Sequence, residues 1–186
     1  MNKNSLDISS SINWLKSGKV LIHPTESIWG LGCDAFNEKA FNKIFEIKKR
    51  EQHKSFILLC RSLDFLNKYI KKIDKKDENL LKQTWPGPVT FLINYNKNIP
   101  NHLKTNNGKI AVRVSNHLPL KQLLERFNGF MVSTSANLSG QKILDNPDDI
   151  LNFFKSHDLA YFNEILGSNK RPSKIVDLHS KTVIRE

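Results

Sequence analysis

A chain of 186 residues with 39% apolar residues can bury one sizeable hydrophobic core, so we expect a single domain, 1–186. The formal net charge of +11 suggests a polyanionic partner, such as nucleic acid or nucleotide phosphates. The alternative is that many of these charges are simply solvated lysines at the surface. Two cysteines, Cys33 and Cys60, argue against a disulfide framework. The polar N-terminus and the lack of an apolar run of about 20 residues argue against a secretory leader and a membrane span. We therefore expect a soluble, cytoplasmic protein.

Helical and extended patterns alternate along the chain, which favours an α/β fold. Ser9 or Ser10 is expected to cap a first helix that stops at Gly18, and "KVLI" follows as a buried strand. Asn37 is the expected cap of the helix "EKAFNKIFEIKK". The strand "SFILLC", a helix "SLDFLNKYI" from Ser62 and the strand "VTFLINY" come next.

The second half of the chain predicts three more strands, "KIAVRV", "FMVST" and "KIVDL". One helix is expected to begin at Pro119, between the first two strands, and another at Pro147, after the second strand. The polar, asparagine-rich segment 94–107 is interpreted as a mobile excursion.

Polar residues follow three of the apolar strands, in "HPTES", "RVSNH" and "VSTSAN". One such strand end is usually a cap or a turn. Three together favour a binding site, because strand ends and helix N-termini converge at one edge of an open α/β sheet.

A basic cluster, "KKREQHK", follows the second helix. Lys48 and Arg50 are two residues apart and cannot share one face of a regular helix, so the helix must end near Lys49 if they act together. Arg50 could then make a forked contact with an anion, and Lys48 or Lys54 could supply point charges. The alternative is a solvated helix end that complements the helix dipole.

Six blocks occur in a fixed order along the chain: "HPTESIWGLG", "IFEIKKREQHKSFILL", "WPGPVTF", "AVRVSNHL", "VSTSANLSG" and "RPSKIVD". In order and approximate spacing they resemble the YrdC/TsaC family, the threonylcarbamoyl-adenylate synthases. The resemblance extends from Gly18 to about Arg185. Each block alone is weakly specific, but six in register are strongly specific.

The resemblance implies a twisted sheet of parallel and antiparallel strands, flanked by helices, around a positively charged concave cleft. It implies a nucleotidyltransferase whose substrates L-threonine, bicarbonate or CO₂, and ATP give threonylcarbamoyl-AMP and pyrophosphate. Mg²⁺ is expected to be held mainly by the nucleotide. Downstream proteins would transfer the threonylcarbamoyl group to an adenosine of certain tRNAs, so tRNA is an indirect partner, and direct RNA binding is left open.

The family's Lys-x-Arg…Ser-x-Asn signature is matched by four residues, which the resemblance assigns to catalysis and to the ATP phosphates: Lys48, Arg50, Ser135 and Asn137. Lys54, Lys109 and Arg185 are the further ATP-binding candidates.

Arg113 resembles the arginine that holds the threonine carboxylate. Four hydroxyl residues are expected on the same side of the site: Thr25, Ser27, Ser133 and Ser173. Two positions depart from the family pattern, since Glu51 follows Arg50 where proline is common, and Lys174 replaces a common threonine.

The stretch "HPTESIWGLG" is expected to deliver Thr25, Glu26 and Ser27 to the cleft edge. Gly30 and Gly32 would let the backbone pass close to a bound ligand, where side chains would collide. Trp29 is either a core residue under the turn or a substrate contact.

No Ser/His/Asp order and no P-loop or GxGxxG motif is found, and no metal ligands are expected from the protein. The histidines are scattered, and each is expected at the surface or in a turn: His23, His53, His102, His117, His157 and His179. Two alternatives to the synthase remain. One is a non-catalytic RNA-binding module that uses the basic cleft, and the other is a carbamoyl-handling enzyme of the same fold that acts on another amine.

Overall fold

The computed structural model describes residues 4–51, 55–138, 140–169 and 171–186. Its helices are α1 (Ile8–Lys16), α2 (Glu38–Lys48), α3 (Leu63–Leu66), α4 (Lys75–Thr84), α5 (Leu118–Phe127) and α6 (Pro147–Phe154). Its strands are β1 (Ser5–Leu6), β2 (Val20–His23), β3 (Gly30–Gly32), β4 (Ile57–Leu59), β5 (Val89–Asn94), β6 (Lys109–Arg113), β7 (Met131–Ser135), β8 (Leu159–Phe162), β9 (Lys174–Asp177) and β10 (Val183–Arg185). Within these ranges, no helix combines the length and the apolar character that a membrane span needs.

The strands form one mixed sheet in the order β1-β8-β2-β3-β7-β4-β6-β5-β9-β10. The pairs β1/β8, β2/β8, β4/β6 and β5/β9 are parallel. The pairs β2/β3, β3/β7, β4/β7, β5/β6 and β9/β10 are antiparallel. The expected α/β fold with a mixed sheet is therefore confirmed.

Successive residues of a strand point to opposite faces of the sheet, and this alternation divides the core. Leu58 belongs to the larger cluster, which includes the buried face of α2. Leu59 belongs to a smaller cluster with residues of α1 and α5. Helices therefore cover both faces, with α2 on one and α1 and α5 on the other.

Most of the predicted helix starts are correct. Asn37 caps α2 by accepting a hydrogen bond from the Ala40 amide, and Ser62 caps α3 through the Phe65 amide. Proline lies in the first turn of α5 and of α6. The predicted start of α1 at Ser9 or Ser10 is wrong, because the Asp7 carboxylate caps it from an earlier position, 2.7 Å from the Ser10 amide.

The sequence pattern did not predict five elements of the structure: α4, β1, β3, β8 and β10. They are short or carry little apolar periodicity: β1 has two residues, β3 is Gly-Leu-Gly, and α4 buries only Leu81. α3 is shorter than predicted, since it ends at Leu66.

Segment 94–107 is anchored to the protein, so the interpretation as an excursion is wrong. Ile99 and Leu103 are buried in the larger core, and a short 3₁₀ turn covers Asn101–Leu103. The Tyr95 hydroxyl also donates a hydrogen bond of 3.0 Å to the Thr105 carbonyl oxygen.

Candidate active site

A cleft of about 410 Å³ opens at the centre of the sheet. Its floor comes from one face of β4, β6 and β7, because Ile57 pairs with both Ala111 and Ser133, and Leu59 pairs with Arg113. Since Leu59 packs in the smaller core with α1 and α5, these helices cover one part of this face and leave the cleft on the rest.

Eight of the predicted site residues line this cleft: Thr25, Ser27, Arg50, Arg113, Ser133, Ser135, Ser173 and Arg185. Among the described residues, the lining includes three arginines and no acidic side chain. Residues from five of the six sequence blocks, together with Arg185, thus meet at one site whose charged groups are all cationic, which suits anionic ligands.

Arg113 ends β6 and is buried beside Glu26. Its Nη2 lies 3.4 Å from Glu26 Oε2. Burial lowers the pKa of Arg113, and the Glu26 charge opposes that change. Among the described residues, the Nε atom of Arg113 has no hydrogen-bond partner. The guanidinium group therefore retains donor capacity for a ligand.

Glu26 was expected at the cleft edge, but it does not line the cleft and is 6% exposed. Its Oε1 accepts hydrogen bonds from Ser115 Oγ at 2.7 Å and from the Asn116 amide at 3.3 Å. Burial by itself raises the pKa of Glu26, but Arg113 and these hydrogen bonds outweigh burial and lower it. The carboxylate is thus held ionised inside the protein. Its Oε1 is hydrogen-bonded, whereas Oε2 lies in the ion pair with Arg113 and has no hydrogen-bond partner among the described residues.

Thr25 and Ser27 form the turn between β2 and β3. The Thr25 hydroxyl donates to the Ile28 carbonyl oxygen at 2.7 Å and accepts from the Ser27 amide at 3.3 Å. This side chain therefore holds the turn in shape and also lines the cleft.

Lys48 lies at the end of α2 and is 2% exposed. Its ammonium group donates to the backbone carbonyl oxygens of Ser135, at 2.5 Å, and of Asn137. Burial, together with the smaller effect of the nearby Arg50 charge, lowers the pKa of Lys48 to about 8. Lys48, which was predicted to supply a point charge to an anion, therefore does not line the cleft. Its ammonium group instead links the end of α2 to the end of β7 and the loop that follows.

The side chains of that loop are also linked to each other. Ser135 Oγ donates to Asn137 Oδ1 at 2.6 Å, and Asn137 Nδ2 donates to the Gln141 carbonyl oxygen at 2.6 Å. Ser135 lines the cleft, whereas Asn137 does not. Asn137 therefore acts on the cleft through Ser135.

Arg50 reaches the cleft because α2 stops where the sequence predicted. Lys49 adopts a left-handed conformation, with φ of 47°, and ends the helix. The Arg50 guanidinium group then lies 5.0 Å from the Phe56 ring centre and donates from Nη2 to the Ser55 carbonyl oxygen at 3.1 Å. Among the described residues its Nε has no partner. Lys54 and His53 lie outside the described residues.

Arg185 lies in β10 and lines the cleft beside Ser173. Its Nη2 donates to the Ser173 carbonyl oxygen at 2.7 Å, and Ser173 Oγ lies 3.0 Å from Thr90 Oγ1. Lys174, the departure in this block, pairs with the Glu186 carboxylate at 3.2 Å.

Lys109 does not line this cleft. It lies in a second cavity of about 440 Å³, which shares Ser55, Phe56, Leu92 and Ala111 with the cleft. Its ammonium group pairs with the Asp177 carboxylate. The two cavities therefore adjoin, and Lys109 is separated from the other predicted site residues.

Gly30 and Gly32 make room mainly for the protein itself, which corrects the expectation for these glycines. A Cβ at Gly30 would lie 2.6 Å from His23 Nε2, and one at Gly32 would lie 2.6 Å from the Val132 carbonyl oxygen. His23 is completely buried, against expectation, and burial lowers its pKa to about 4. Trp29 is a core residue, since it is buried and its Nε1 donates to the Asp145 carbonyl oxygen at 3.0 Å.

The chain was compared with known proteins. A family model named for Sua5, YciO and YrdC, with the description "Telomere recombination", matches residues 13–186. The chain is 35% identical to the threonylcarbamoyl-AMP synthase of Saccharophagus degradans over 178 residues, which cover 96% of this chain and 93% of that protein. It is 36% identical to the threonylcarbamoyl-AMP synthase of Pseudoalteromonas atlantica over 190 residues, which cover 100% of both chains.

Solved structures share the fold. E. coli YciO superposes with a TM-score of 0.83 at 28% identity, covering 98% of this chain and 92% of that one. P. abyssi Sua5 in complex with L-threonine superposes with a TM-score of 0.79 at 27% identity, covering 91% of this chain. This chain spans about half the length of that Sua5 chain, 50%. The family model covers nearly the whole chain, and the chain therefore belongs to the Sua5/YciO/YrdC family.

Proposed function

We propose that the protein is a threonylcarbamoyl-AMP synthase. The threonine amine attacks CO₂, or bicarbonate with loss of water, to form a carbamate. A carbamate oxygen then attacks the α-phosphorus of ATP, which gives threonylcarbamoyl-AMP and releases pyrophosphate. Neither step forms a bond to the protein, so catalysis consists of positioning the substrates and neutralising the developing negative charge.

One observation carries this proposal. Arg50 and Arg113 line the same cleft, and each has an Nε with no hydrogen-bond partner among the described residues. The reaction has to hold two anions, the threonine carboxylate and the ATP phosphates, and a guanidinium group is suited to forked contacts with both kinds. Two such groups in one cleft meet this need.

On the threonine side, Arg113 binds the carboxylate. The hydroxyl groups of Thr25, Ser27, Ser133 and Ser173 surround the rest of the amino acid. Arg185 orders Ser173 through its contact with the Ser173 backbone. A rigid set of hydroxyl donors and acceptors favours an amino acid that carries its own hydroxyl group, and this supports threonine over an aliphatic amino acid.

On the ATP side, Arg50 binds the phosphates. Ser135 and Asn137 orient the reacting carboxyl and phosphate groups, and Lys48 acts by holding their loop. We also assign Lys54 to the phosphates on the resemblance alone. Because the cleft has to accept three substrates, the nucleotide extends into the adjoining cavity, and Lys109 is a residue of that part.

No group of three or more His, Cys, Asp or Glu residues placed to hold a metal ion occurs in the described ranges. We assign no Mg²⁺ ligand to the protein, and a Mg²⁺ ion that arrives with ATP would be held mainly by the phosphate oxygens. Bound in this way, Mg²⁺ neutralises phosphate charge.

The protein is thus a nucleotidyltransferase formed by one domain. Its product is a mixed anhydride, which partner proteins consume when they transfer the threonylcarbamoyl group to tRNA in the cytoplasm. The RNA-binding module is not favoured, because the lysine that the signature places in the cleft is buried and holds a loop. A surface that only attracts a phosphate backbone does not need a buried lysine that fixes a loop.

Mass spectrometry of the reaction products tests this function. Purified protein with Mg²⁺, ATP, L-threonine and bicarbonate should yield threonylcarbamoyl-AMP and pyrophosphate. Exchange of labelled pyrophosphate into ATP should require both threonine and bicarbonate. Exchange with another amine in place of threonine would indicate a related carbamoyl-handling enzyme, and ATP binding without any adduct would exclude the synthase.

A further inference from the structure

Glu26 connects the turn after β2 to the end of β6. Its carboxylate contacts Arg113 through Oε2, and it accepts hydrogen bonds from Ser115 and Asn116 through Oε1. Ser115 Oγ in turn accepts a hydrogen bond of 3.1 Å from the His117 amide. The carboxylate is therefore contacted by three residues at and just after the end of β6, namely Arg113, Ser115 and Asn116.

The backbone of Glu26 is fixed as well. The Gly167 amide donates to the Thr25 carbonyl oxygen at 2.9 Å, and the Asn169 amide donates to the Glu26 carbonyl oxygen at 2.8 Å. A Cβ at Gly167 would lie 2.5 Å from the Glu26 carbonyl oxygen, so only glycine permits this close approach. Glu26 is thus held from both sides and has little freedom to move.

Glu26 itself does not line the cleft, whereas its partner Arg113 does. A buried guanidinium group needs a counter-charge, and Glu26 supplies it at one nitrogen, Nη2. The Nε of Arg113 keeps no partner among the described residues. This ion pair therefore restrains the guanidinium group at Nη2, while its Nε donor remains for a ligand.

We propose that Glu26 is a positioning residue that orients the Arg113 guanidinium group for the carboxylate of the amino-acid substrate. The proposal rests on the proposed function, in which Arg113 binds threonine. Forked contacts between guanidinium and carboxylate groups require both groups to be coplanar and aligned, so a small rotation of Arg113 weakens substrate binding.

Two effects of Glu26 oppose each other. Its negative charge reduces the attraction of Arg113 for a second carboxylate, but its contact fixes the direction of the donors. The variant Glu26→Gln separates these effects. It keeps the shape of the side chain and, with its oxygen in place of Oε1, both accepted hydrogen bonds, but it places an amide N–H group opposite Arg113 Nη2. Two donors then face each other, and the guanidinium group must turn away.

Steady-state kinetics of Glu26→Gln test the proposal. We expect the KM for threonine to rise roughly tenfold, since an aligned charge-assisted contact is lost, while the KM for ATP changes less than about twofold. Glu125→Gln is the matched control, because Glu125 is exposed and pairs only at 4.0 Å with Lys121. A folded Glu26→Gln protein with an unchanged or lower KM for threonine would overturn the proposal, as would equal increases for both substrates.

A binding measurement distinguishes positioning from a general structural role. L-Threonine amide cannot form the forked, charge-assisted contact of a carboxylate, so its affinity depends far less on the orientation of Arg113. Titration calorimetry should show that Glu26→Gln weakens the binding of threonine much more than that of threonine amide. Equal weakening of both ligands would mean that Glu26 only supports the fold.

Ser115→Ala provides a second variant if Glu26→Gln does not fold. It removes one hydrogen bond to Glu26 Oε1 and keeps both charges, so we expect the same selective loss for threonine over its amide, roughly threefold. No selective loss in this variant would contradict the proposal. Failure of the wild-type protein to form threonylcarbamoyl-AMP would refute the proposed function instead, and the two binding titrations would still report on Glu26 and Arg113.

Discussion

The ammonium group of Lys48 lies 2.5 Å from the carbonyl oxygen of Ser135, which joins the end of α2 to the end of β7. The same group also donates to the Asn137 carbonyl oxygen. One buried lysine thus fixes the loop that carries two of the proposed catalytic side chains. Fixing the backbone of Ser135 and Asn137 in this way reduces the entropic cost of aligning the reacting groups.

Replacing Lys48 by Ala should therefore impair turnover through the loop. The variant leaves two carbonyl oxygens without their donor, and we expect kcat to fall at least roughly tenfold. Hydrogen exchange followed by mass spectrometry should show faster exchange of the amides from Ser135 to Gln141. Lys39→Ala, an exposed position on the same helix, is the control and should change neither quantity. Slower turnover with unaltered exchange in this loop would contradict the positioning role of Lys48.

Arg113→Ala should raise the KM for threonine far more than the KM for ATP. A charge-assisted contact to one carboxylate contributes about 1.5–3 kcal/mol, which corresponds to roughly a ten- to hundredfold change. Initial rates at varied threonine and at varied ATP separate the two effects. Arg126→Ala, at an exposed position of α5, provides the control. Similar increases in KM for both substrates would mean that Arg113 contacts both of them or that it only supports the fold.

Arg50→Lys keeps the charge at the phosphate side but removes the planar fork. We expect a lower kcat at saturating ATP, because a point charge cannot reproduce two aligned donors at the reacting phosphates. Asn137→Ala, which removes no charge, should also lower kcat by roughly tenfold. A module that only attracts RNA would tolerate both changes, so full activity in the two variants would show that the signature residues are not the site of the chemistry.

Gly30→Ala should destabilise the protein through His23 rather than through the substrate. The added methyl group would lie 2.6 Å from His23 Nε2, and such overpacking costs about 1–3 kcal/mol. Urea unfolding of Gly30→Ala, His23→Ala and the double variant forms a mutant cycle. We expect the double variant to be no less stable than His23→Ala alone. Additive losses would mean that the glycine is needed for another reason.

His23 should make stability depend on pH on the acidic side of neutrality. Its pKa is about 4 in the folded protein and about 6.5 when unfolded, so the unfolded chain binds more protons between these values. The contribution of neutral His23 is fully present above pH 6.5 and is lost as the pH falls toward 4, by roughly 3 kcal/mol in total. Urea unfolding at pH 7, 6 and 5 should show this loss in the wild type.

His23→Leu should flatten this dependence, because the buried titrating group is then absent. His179→Leu, at an exposed position, is the matched control and should keep the wild-type slope. An equal slope in wild type and His23→Leu would place the acid sensitivity in other groups, such as His117, whose pKa burial also lowers.

The sequence by itself determined the α/β class, most helix starts and eight of the residues that line the cleft. Caps such as Asn37 and Ser62 could be predicted because a cap depends on hydrogen bonds within three or four residues. The end of α2 near Lys49 was expected only on the condition that Lys48 and Arg50 act together, and the helix does end there. Polar residues after β2, β6 and near the end of β7 predicted a binding site, which the structure places on one face of β4, β6 and β7.

Only the tertiary structure decided what each site residue contacts. Lys48 donates to a loop far along the chain, Glu26 pairs with Arg113, and Gly30 makes room for His23. These contacts depend on which strands become neighbours, and no local pattern encodes that. Burial then changes the chemistry, because a charge taken out of water must find a partner inside the protein. The charged residues that the sequence marked as ligand contacts therefore divide into those that face the cleft and those that hold it in shape.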